Sequence, residues 1–586
     1  MLVPFLFLFV SLSIGIYLNH IFNIYISVYF PLILIFISIF IKNKTGFVFL
    51  NLAVFILGLS ITYEKQVKSF PENPIFVNCK VVSIPKNSFY GKSFDCLVKK
   101  SDFKEIEGKK IKTHLKLNDK EIFYFSNIAF LGNINTDGNK VYGYPKRDFI
   151  KVDNSKNPFI LIYRLKNYLI KNYKENSLNE NSYQIGLPLI FGEKGFIPYS
   201  KKERFSETGL SHLLAISGLH VAILVISILF VLFFLKERIK YILIMGFLPF
   251  YAIFTGLQVP VLRASVMAGL YFFSKIKHLK INSLNILFFV GFLIILFSPE
   301  QLFNVGFQLS FIATFGIILG LDLVNIKTSL PKIINFLIQM LIVSFIATIF
   351  TLPLVLYYFG GFSFLSIIAT PIAVLPLYPY LFLSVLNLMT LMKIGFLVRF
   401  MDYFGILFLK IVNFFYGLHG YFQGFSPSPL IILIYLLLIS FILILKFNMY
   451  KKVLVLFVSV FIFLFISQTK HKDFKVYTFK SKDYPSVLIF TPDREGFLIG
   501  DYFNFKVRTT IKKENPLRIY LIYYKSKPYK IIQSLNLDFQ NYFRIKKVLK
   551  IKGIFQIKKD KNRFILKIKN KTFILKNEDN FFILQN

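Results

Sequence analysis

Hydrophobic and polar positions along this chain follow two different patterns. Several apolar runs extend for 17 or more residues without a charge, while two other segments show short alternating runs broken by Asn, Gly, Lys and Asp. An uncharged run of that length crosses the roughly 30 Å hydrocarbon core of a bilayer as a helix. The pattern therefore predicts a polytopic α-helical membrane protein of about 13 spans with two β-rich soluble segments.

The first apolar run, Leu2–Leu18, has no basic residues before it and is followed at once by further runs. We therefore interpret it as a retained helix and not as a cleaved signal peptide. Prolines at 371, 376 and 379 interrupt a later run, which must be shielded by protein or line a wet cavity. The predicted spans are 2–18, 21–41, 46–63, 212–235, 241–257, 261–274, 282–297, 302–322, 333–356, 362–392, 394–417, 429–446 and 453–468.

This pattern predicts five regions along the chain. Residues 1–63 are N-terminal transmembrane helices, and residues 64–157 are a small β domain. Residues 158–204 are an amphipathic linker, which lies on the membrane surface or forms a solvated helix. Residues 205–468 are the main transmembrane domain, and residues 469–586 are a second β-rich domain.

The positive charge is concentrated in the two soluble segments. The chain carries a formal net charge of +40, and residues 64–204 hold 26 Lys and Arg against 15 Asp and Glu. Residues 469–586 hold 27 against 10, which makes this domain basic as well. Placing the N-terminus in the cytoplasm puts 14 basic residues in the inner loops and none in the short outer loops. The same parity places both soluble domains outside.

The two cysteines, Cys79 and Cys96, are 17 residues apart in the first soluble segment. If this segment lies outside the cytoplasm, they are candidates for a disulfide across a hairpin-like pair of strands. The alternative is two unrelated buried thiols.

Polar residues cluster where the span near 212–235 begins, in the string TGLSHLLAISGLHV. His212 and His220 are eight positions apart and would project within about 80° of each other on one helix. Three interpretations remain open. They are a two-His metal site lacking further ligands, a Ser217–His220 hydrolase pair lacking a third orienting group, and a close-packed polar turn lining a pore. The presence of Gly209 and Gly218 favours the pore-lining turn.

Two further strings place polar groups in apolar helices. In TGLQVPVLRASVMAGL, Arg263 either extends towards the membrane surface or contacts a phosphate, because a guanidinium group matches phosphate oxygens. In NVGFQLSFIATFG, Gln308 and Ser310 either join neighbouring helices or line a path. A fourth string, TLPLVLYYFGGFSFLSIIATPIAVLPL, contains helix-breaking prolines and a Gly–Gly pair.

The strings GLSHLLAISGLHV, LRASVMAG, GFQLSFIAT and TLPLVLYYFG, in this order, resemble the ComEC family of bacterial competence proteins. The resemblance covers about 185–380 strongly and implies an inner-membrane channel that passes single-stranded DNA into the cytoplasm. It also implies that residues 64–157 form an exported OB-like domain. By this resemblance, the characteristic positions are His212, Ser217, Gly218, His220, Arg263, Gln308 and Ser310.

The implied partners are single-stranded DNA, an exported DNA receptor, cytoplasmic motor or strand-binding proteins, the lipid bilayer and further copies of the chain. No cofactor is expected. The longest family members end in a metallo-β-lactamase-like domain, whose chemistry needs an HxHxDH-type cluster. Residues 469–586 contain a single histidine, His471, so this domain is either a degenerate remnant or a separate basic module. Metal-dependent nuclease activity is therefore not expected, and no Walker-type ATPase motif is present.

Three hypotheses of function follow. The first is a DNA-uptake channel in the bacterial inner membrane. The second is a transporter of a small or lipid-linked molecule, for which an inverted repeat would be typical. The third is a membrane-embedded hydrolase that uses His212, Ser217 and His220.

Overall fold

A computed structural model describes most of the chain, and the described residues form two compact units. The first comprises Met1–Ala347 with Leu365–His419, and the second comprises Thr348–Phe364 with Gly420–Asn586. Most of the predicted span at 21–41 lies outside the described residues. The residues that the structure describes are 4–22, 31, 34–35, 38, 44–61, 74–82, 85–88, 91–103, 106–108, 110–116, 122, 126–137, 140–155, 157–324, 331–445, 449–468, 475–479, 486–490, 495–499, 510, 518–523, 542–544, 548–551, 555–560, 563–568, 571–578 and 581–585.

The described part of the chain is mainly helical, as the long apolar runs predict. Its α-helices are Pro4–Phe22, Lys44–Ile61, Ile160–Asn176, Glu180–Ile190, Tyr199–Glu207, Gly218–Val231, Glu237–Thr255, Val259–Lys277, Ser283–Phe297, Val305–Leu319, Leu321–Val324, Lys332–Phe359, Ser366–Met389, Gly395–Gly417, Pro429–Ile444 and Met449–Ser467. Short 3₁₀ helices lie at Lys194–Phe196, Ser211–Leu214 and Pro299–Phe303.

Four helices in the described part are long and apolar enough to cross a membrane, namely Glu237–Thr255, Val259–Lys277, Lys332–Phe359 and Ser366–Met389. Six shorter apolar stretches accompany them: Pro4–Asn19, Leu50–Ser60, Gly218–Val231, Ser283–Phe297, Val305–Leu319 and Pro429–Ile444. The predicted set of apolar helices that could span a membrane is therefore confirmed, whereas the count of about 13 spans stays a prediction.

Two of the predicted spans differ in extent from the helices observed. The short run at 261–274 belongs to a longer helix, Val259–Lys277, which begins with a proline in its first turn. The proline-containing run at 362–392 becomes one continuous helix, Ser366–Met389, preceded by a short strand. Pro371 and Pro376 are buried in protein, which is the shielding that a proline inside a membrane helix requires.

The two N-terminal helices pack against each other through small residues. A β-carbon on Gly15 would lie 2.2 Å from the carbonyl oxygen of Phe55, so only glycine permits this approach of the two backbones. The same pair shares a hydrophobic cluster with Leu287, Phe307 and Phe311 from later helices. The N-terminal helices are therefore packed onto the main transmembrane region.

The predicted linker at 158–204 is helical and is packed into the core of the first unit. Helix Ile160–Asn176 buries Tyr163, Lys166 and Tyr173, and helix Glu180–Ile190 is almost entirely buried. Lys166 Nζ contacts Glu193 Oε1 at 2.8 Å, and both side chains are less than a tenth exposed. The same helix exposes Leu161, Leu165 and Tyr168, so only one of its faces is packed against the protein. Its placement on the membrane surface or in solvent stays a prediction.

The first soluble segment forms a small closed sheet. Its strands are β1 (Ile75–Val81), β2 (Lys86–Ser88), β3 (Gly91–Ser101), β4 (Lys110–Lys116), β5 (Asn127–Asp137) and β6 (Lys140–Asp153). Strand β1 pairs with both β3 and β5, β3 pairs with β4, and β6 joins β4 to β5. Five strands thus close into a ring, with β4–β6 as its parallel pair and β2 attached to β3. Alternation along β1 points every second residue into the core.

The second unit contains helices Pro429–Ile444 and Met449–Ser467 and the C-terminal strands. Strands Lys475–Phe479, Ser486–Phe490, Glu495–Ile499, Arg518–Tyr523 and Tyr542–Arg544 form one mixed sheet. A second, antiparallel sheet contains Val548–Ile551, Phe555–Asp560, Arg563–Ile568, Lys571–Glu578 and Phe581–Gln585. The predominance of strands agrees with the alternating runs in this segment. A two-stranded sheet pairs Gly361–Ser363 with Tyr421–Gln423.

Candidate functional site

The first motif folds as a turn that leads into a helix. Ser211–Leu214 forms a 3₁₀ helix, an extended residue follows at Ala215, and the α-helix begins at Gly218 with Ser217 as its N-cap. His212 lies in the 3₁₀ helix, exposed, and its Nδ1 donates a hydrogen bond to the carbonyl oxygen of Gly209. His212 and His220 therefore do not share one helix, and the expectation that they project from it within about 80° of each other is wrong.

Ser217 and His220 contact each other where the helix begins. His220 Nδ1 lies 2.9 Å from Ser217 Oγ and accepts a hydrogen bond from the Ser217 backbone N–H at 3.2 Å. This is a capping box, in which the third residue of the helix closes back on the N-cap. Because the Nδ1 lone pair already binds the backbone N–H, the contact stabilises the start of the helix and is poorly suited to activate a serine nucleophile.

Arg263 lies on helix Val259–Lys277 and is only 7% exposed. Its Nη1 donates a hydrogen bond to Thr314 Oγ1, which in turn donates to the carbonyl oxygen of Ser310 at 2.9 Å. The guanidinium carbon lies 5.9 Å from the centre of the Phe311 ring. Arg263 is therefore held inside the protein, and the alternative of a side chain extended to the membrane surface is wrong.

The guanidinium of Arg263 faces the first residue of the helix Gly218–Val231. A β-carbon built on Gly218 would lie 3.7 Å from Arg263 Nη2 and 3.9 Å from the β-carbon of Ala264. The glycine therefore leaves room beside the guanidinium for an atom of van der Waals size. The start of an α-helix presents unpaired backbone N–H groups and the positive end of the helix dipole.

Arg263 is incompletely satisfied within the described part of the chain. Its Nε is buried without a hydrogen-bond partner there, and none of the ion pairs found among those residues includes it. A buried donor without a partner costs about 1–3 kcal/mol, and more when the group is charged. Positive charge from Arg263 and from the helix start thus converges on the same small space, an arrangement that favours an anion.

Gln308 and Ser310 lie at the start of helix Val305–Leu319 and have different surroundings. Gln308 Nε2 donates to the carbonyl oxygen of Leu302 at 2.8 Å and so closes the preceding 3₁₀ turn. The backbone of Ser310 accepts from Thr314, the residue that binds Arg263. The structure therefore links Gly218, Arg263 and Ser310 through contacts, while Gln308 holds a turn and His212 lies in a separate 3₁₀ helix.

Sequence reasoning missed Phe311 and Thr314, which provide the ring and hydroxyl that contact Arg263. Both lie inside the third motif, and Thr314 is one helical turn beyond Ser310. A polar residue four positions after another on an apolar helix is the signal that identifies such a face. Sequence alone does not pair this face with Arg263, which is about fifty positions earlier in the chain.

The two cysteines are bonded to each other, and the two-His metal hypothesis finds no further ligands among the described residues. Cys79 and Cys96 form a disulfide between β1 and β3, with Cα atoms 5.7 Å apart, and both are fully buried. Within the described ranges, no three His, Cys, Asp or Glu side chains gather as they would around a metal ion. The structure therefore offers no set of ligands that would complete a two-His metal site there.

Comparisons with known proteins agree with the motifs. Residues 189–449, which contain all four strings, match the family model described as "Competence protein". The chain is 33% identical over 210 residues to "ComE operon protein 3" of Bacillus subtilis (strain 168), an alignment that covers 35% of this chain. The same alignment spans only 26% of that relative's length. It is also 29% identical over 392 residues to an uncharacterized protein of Aquifex aeolicus (strain VF5), covering 65% of this chain and 87% of that one. No solved structure matches the chain significantly.

Proposed function

Because residues 189–449 belong to the Competence protein family and carry the ComEC motifs, we propose that this membrane protein is a channel for DNA. It passes single-stranded DNA across the bacterial inner membrane into the cytoplasm during natural transformation. The observation that carries this proposal is Arg263, a buried guanidinium without a carboxylate partner among the described residues, facing the start of a helix. The phosphodiester backbone is an anion that such a site fits.

The geometry at Gly218 supports a transient contact with each phosphate of a moving strand. A phosphate oxygen beside Gly218 would accept from Arg263 and from N–H groups of the first helical turn. The absence of a β-carbon on Gly218 leaves the guanidinium uncovered on this side. The hydrogen bond to Thr314 and the ring of Phe311 fix the guanidinium, so it need not reorder when successive phosphates arrive.

The soluble domains support the same substrate. The ring of β1, β3, β4, β6 and β5 has the connectivity of a five-stranded Greek-key barrel, which fits the OB-like domain implied by the resemblance. Barrels of this kind bind single strands without sequence preference. Basic domains at residues 64–204 and 469–586 would also raise the local concentration of an anionic polymer, with a strong dependence on salt.

The proposal includes an orientation and partners. The N-terminus lies in the cytoplasm and both soluble domains lie outside, as the charge of the loops favours. An exported DNA receptor delivers the strand, cytoplasmic motor or strand-binding proteins draw it in, and further copies of the chain contribute to the pore. The proposal assigns no catalytic step to this chain.

The experiment follows labelled duplex DNA in a competent strain that carries this gene or its deletion. We expect the deletion to abolish both transformants and protected cytoplasmic label, while DNA still binds to the cell surface. Complementation with the wild-type gene restores uptake, and complementation with Arg263→Ala does not. Normal transformation in the deletion strain would rule out the channel. A growth defect that depends on one nutrient, with normal DNA uptake, would favour the transporter hypothesis instead.

A further inference from the structure

A cavity of about 300 Å³, whose lining does not include Arg263, lies in the first unit. It is formed by the start of helix Glu180–Ile190, by helix Tyr199–Glu207 and by the second half of helix Gly395–Gly417. Its polar lining consists of three cations and three amides: Lys201, Arg204, Lys410, Asn179, Asn181 and Asn413. No carboxylate is among the described residues that line it.

Two of the cations that line this cavity, Arg204 and Lys201, donate hydrogen bonds to neutral amide oxygens. Arg204 Nη1 donates to Asn413 Oδ1 at 2.9 Å, and its guanidinium lies 5.7 Å from the centre of the Tyr416 ring. Lys201 Nζ donates to Asn181 Oδ1 and to Gln184 Oε1, each at 2.6 Å. These contacts orient the cations without neutralising them.

The surrounding charges leave the cavity positive. Burial lowers the pKa of Lys201, Glu180 raises it, and Arg204 lowers it further. Glu203 and Glu207 are on the same helix as Arg204, and both act on Tyr416, but neither lines the cavity. Three cations line the cavity, whereas the nearby acids Glu180, Glu203 and Glu207 lie outside its lining, so the lining itself favours a bound anion.

The helix that carries Lys410 also has a broad apolar face that the rest of the protein does not cover. Phe396, Phe400, Tyr403 and Phe414 are each more than half exposed on helix Gly395–Gly417. Lys410 is exposed too, seven positions after Tyr403 and four before Phe414, so the three share one face of the helix. In a membrane protein, bulky apolar side chains on an outer face contact lipid. The cationic cavity therefore adjoins an exposed apolar face.

We infer that this cavity binds the phosphate of an anionic phospholipid headgroup, while the acyl chains lie along the exposed aromatic face of helix Gly395–Gly417. The site is independent of the DNA path at Arg263. A lipid occupant is favoured over a DNA strand because the cavity adjoins a surface built for hydrocarbon, whereas a strand crossing the membrane must be shielded from lipid. Basic pockets beside membrane helices are a common form of headgroup site.

The test uses the full chain, purified and reconstituted in nanodiscs of phosphatidylglycerol, phosphatidylcholine or a mixture. Spin-labelled phosphatidylglycerol and phosphatidylcholine report which lipid is immobilised on the protein. We expect wild-type protein to immobilise phosphatidylglycerol preferentially. Arg204→Gln and Lys410→Gln should each weaken this preference about fivefold. Lys410→Arg should retain it, which separates loss of charge from misfolding.

Arg399→Gln is the matched control, because Arg399 is an exposed cation on the same helix that does not line the cavity. We expect it to retain the preference for phosphatidylglycerol. Equal immobilisation of the two lipids by wild-type protein, or an equal loss with Arg399→Gln, would overturn the inference. Displacement of the labelled lipid by a single-stranded oligonucleotide, lost in the Lys410→Gln variant, would also overturn it and assign the cavity to nucleic acid.

Discussion

Arg263 Nη2 lies 3.7 Å from the position that a β-carbon would occupy on Gly218. The two residues come from different motifs and different helices, and each affects how the other could contact an anion. The glycine leaves the guanidinium uncovered, and the guanidinium adds charge where the helix start already favours an anion. The contact between these two residues is therefore where we expect substitutions to separate transport from folding.

Gly218→Ala should reduce DNA uptake while the protein still inserts into the membrane. The added methyl group would make ordinary van der Waals contacts, so the fold tolerates it, but it would cover the guanidinium. The measurement is transformation frequency alongside the amount of protein in the membrane fraction. Gly269→Ala is the matched control, because a β-carbon there meets nothing within 4 Å. Equal transformation in both variants would contradict a role for the space at Gly218.

Substitutions of Arg263 should act on uptake in a graded order. Arg263→Ala removes charge and hydrogen bonds, and we expect a loss of about tenfold or more, in line with hydrogen bonds to charged groups. Arg263→Lys keeps the charge and should be less impaired, because only the forked geometry is lost. Thr314→Val removes the hydroxyl that orients the guanidinium. We expect its DNA uptake to lie between that of wild type and that of Arg263→Ala. The same uptake in all four proteins, at equal membrane levels, would show that Arg263 does not contact the strand.

The buried ion pair of Lys166 and Glu193 should be important for stability. Lys166→Ala leaves Glu193 buried without this cation, and we expect a loss of about 3–5 kcal/mol in the free energy of unfolding. The double variant Lys166→Met with Glu193→Leu should recover most of that loss, because neither charge then remains buried. Thermal unfolding of the detergent-solubilised protein measures the stability of the single variant and of the double variant. A Lys166→Ala protein as stable as wild type would show that the pair contributes little.

The disulfide between Cys79 and Cys96 should stabilise the small β domain. A crosslink that closes a loop of this size contributes about 3 kcal/mol, chiefly by restricting the unfolded chain. Cys79→Ser with Cys96→Ser should therefore make residues 74–155 more sensitive to protease, whereas the helical region should be cleaved as before. A gel shift upon reduction checks that the bond forms in cells, and the absence of that shift would contradict it.

Gly186→Ala should destabilise the protein far more than Gly246→Ala. A β-carbon on Gly186 would lie 2.3 Å from Tyr173 Oη and 2.7 Å from Tyr380 Oη, and both tyrosines are fully buried. These hydroxyls are hydrogen-bonded to each other at 2.9 Å and have no room to move aside. Gly246→Ala is the control, because its β-carbon meets nothing within 4 Å. Unchanged thermal stability in Gly186→Ala would show that the two tyrosines can move.

Much of the architecture follows from the one-dimensional pattern. Apolar runs such as 241–257 and 333–356 predicted helices that the structure contains, because in lipid a helix satisfies every backbone group within its own segment. Alternating runs in the same way predicted strands at both soluble segments. The four motif strings predicted the resemblance to the ComEC family, and residues 189–449, which contain them, match the family model described as "Competence protein".

Other features depend on contacts between residues far apart in the chain. Sequence placed His212 and His220 on one helix, but a break before Gly218 separates them. It described residues 158–204 as an amphipathic linker, and only the structure shows that Tyr173 and the Lys166–Glu193 pair lie on the buried face of this segment. Helical periodicity predicts on which face of its helix a residue lies. It does not predict which other segment of the chain packs against that face.

The sequence by itself determined the apolar helices that could span a membrane, the two basic β-rich segments and the match of residues 189–449 to the competence model, because length, hydropathy and motif order are local properties. Only the tertiary structure decided which motif residues meet. It brought Arg263 to Gly218 and Thr314 and assigned Gln308 to a turn. The physical reason is that a buried charge takes its environment from whichever helices pack around it, and that packing depends on the whole fold.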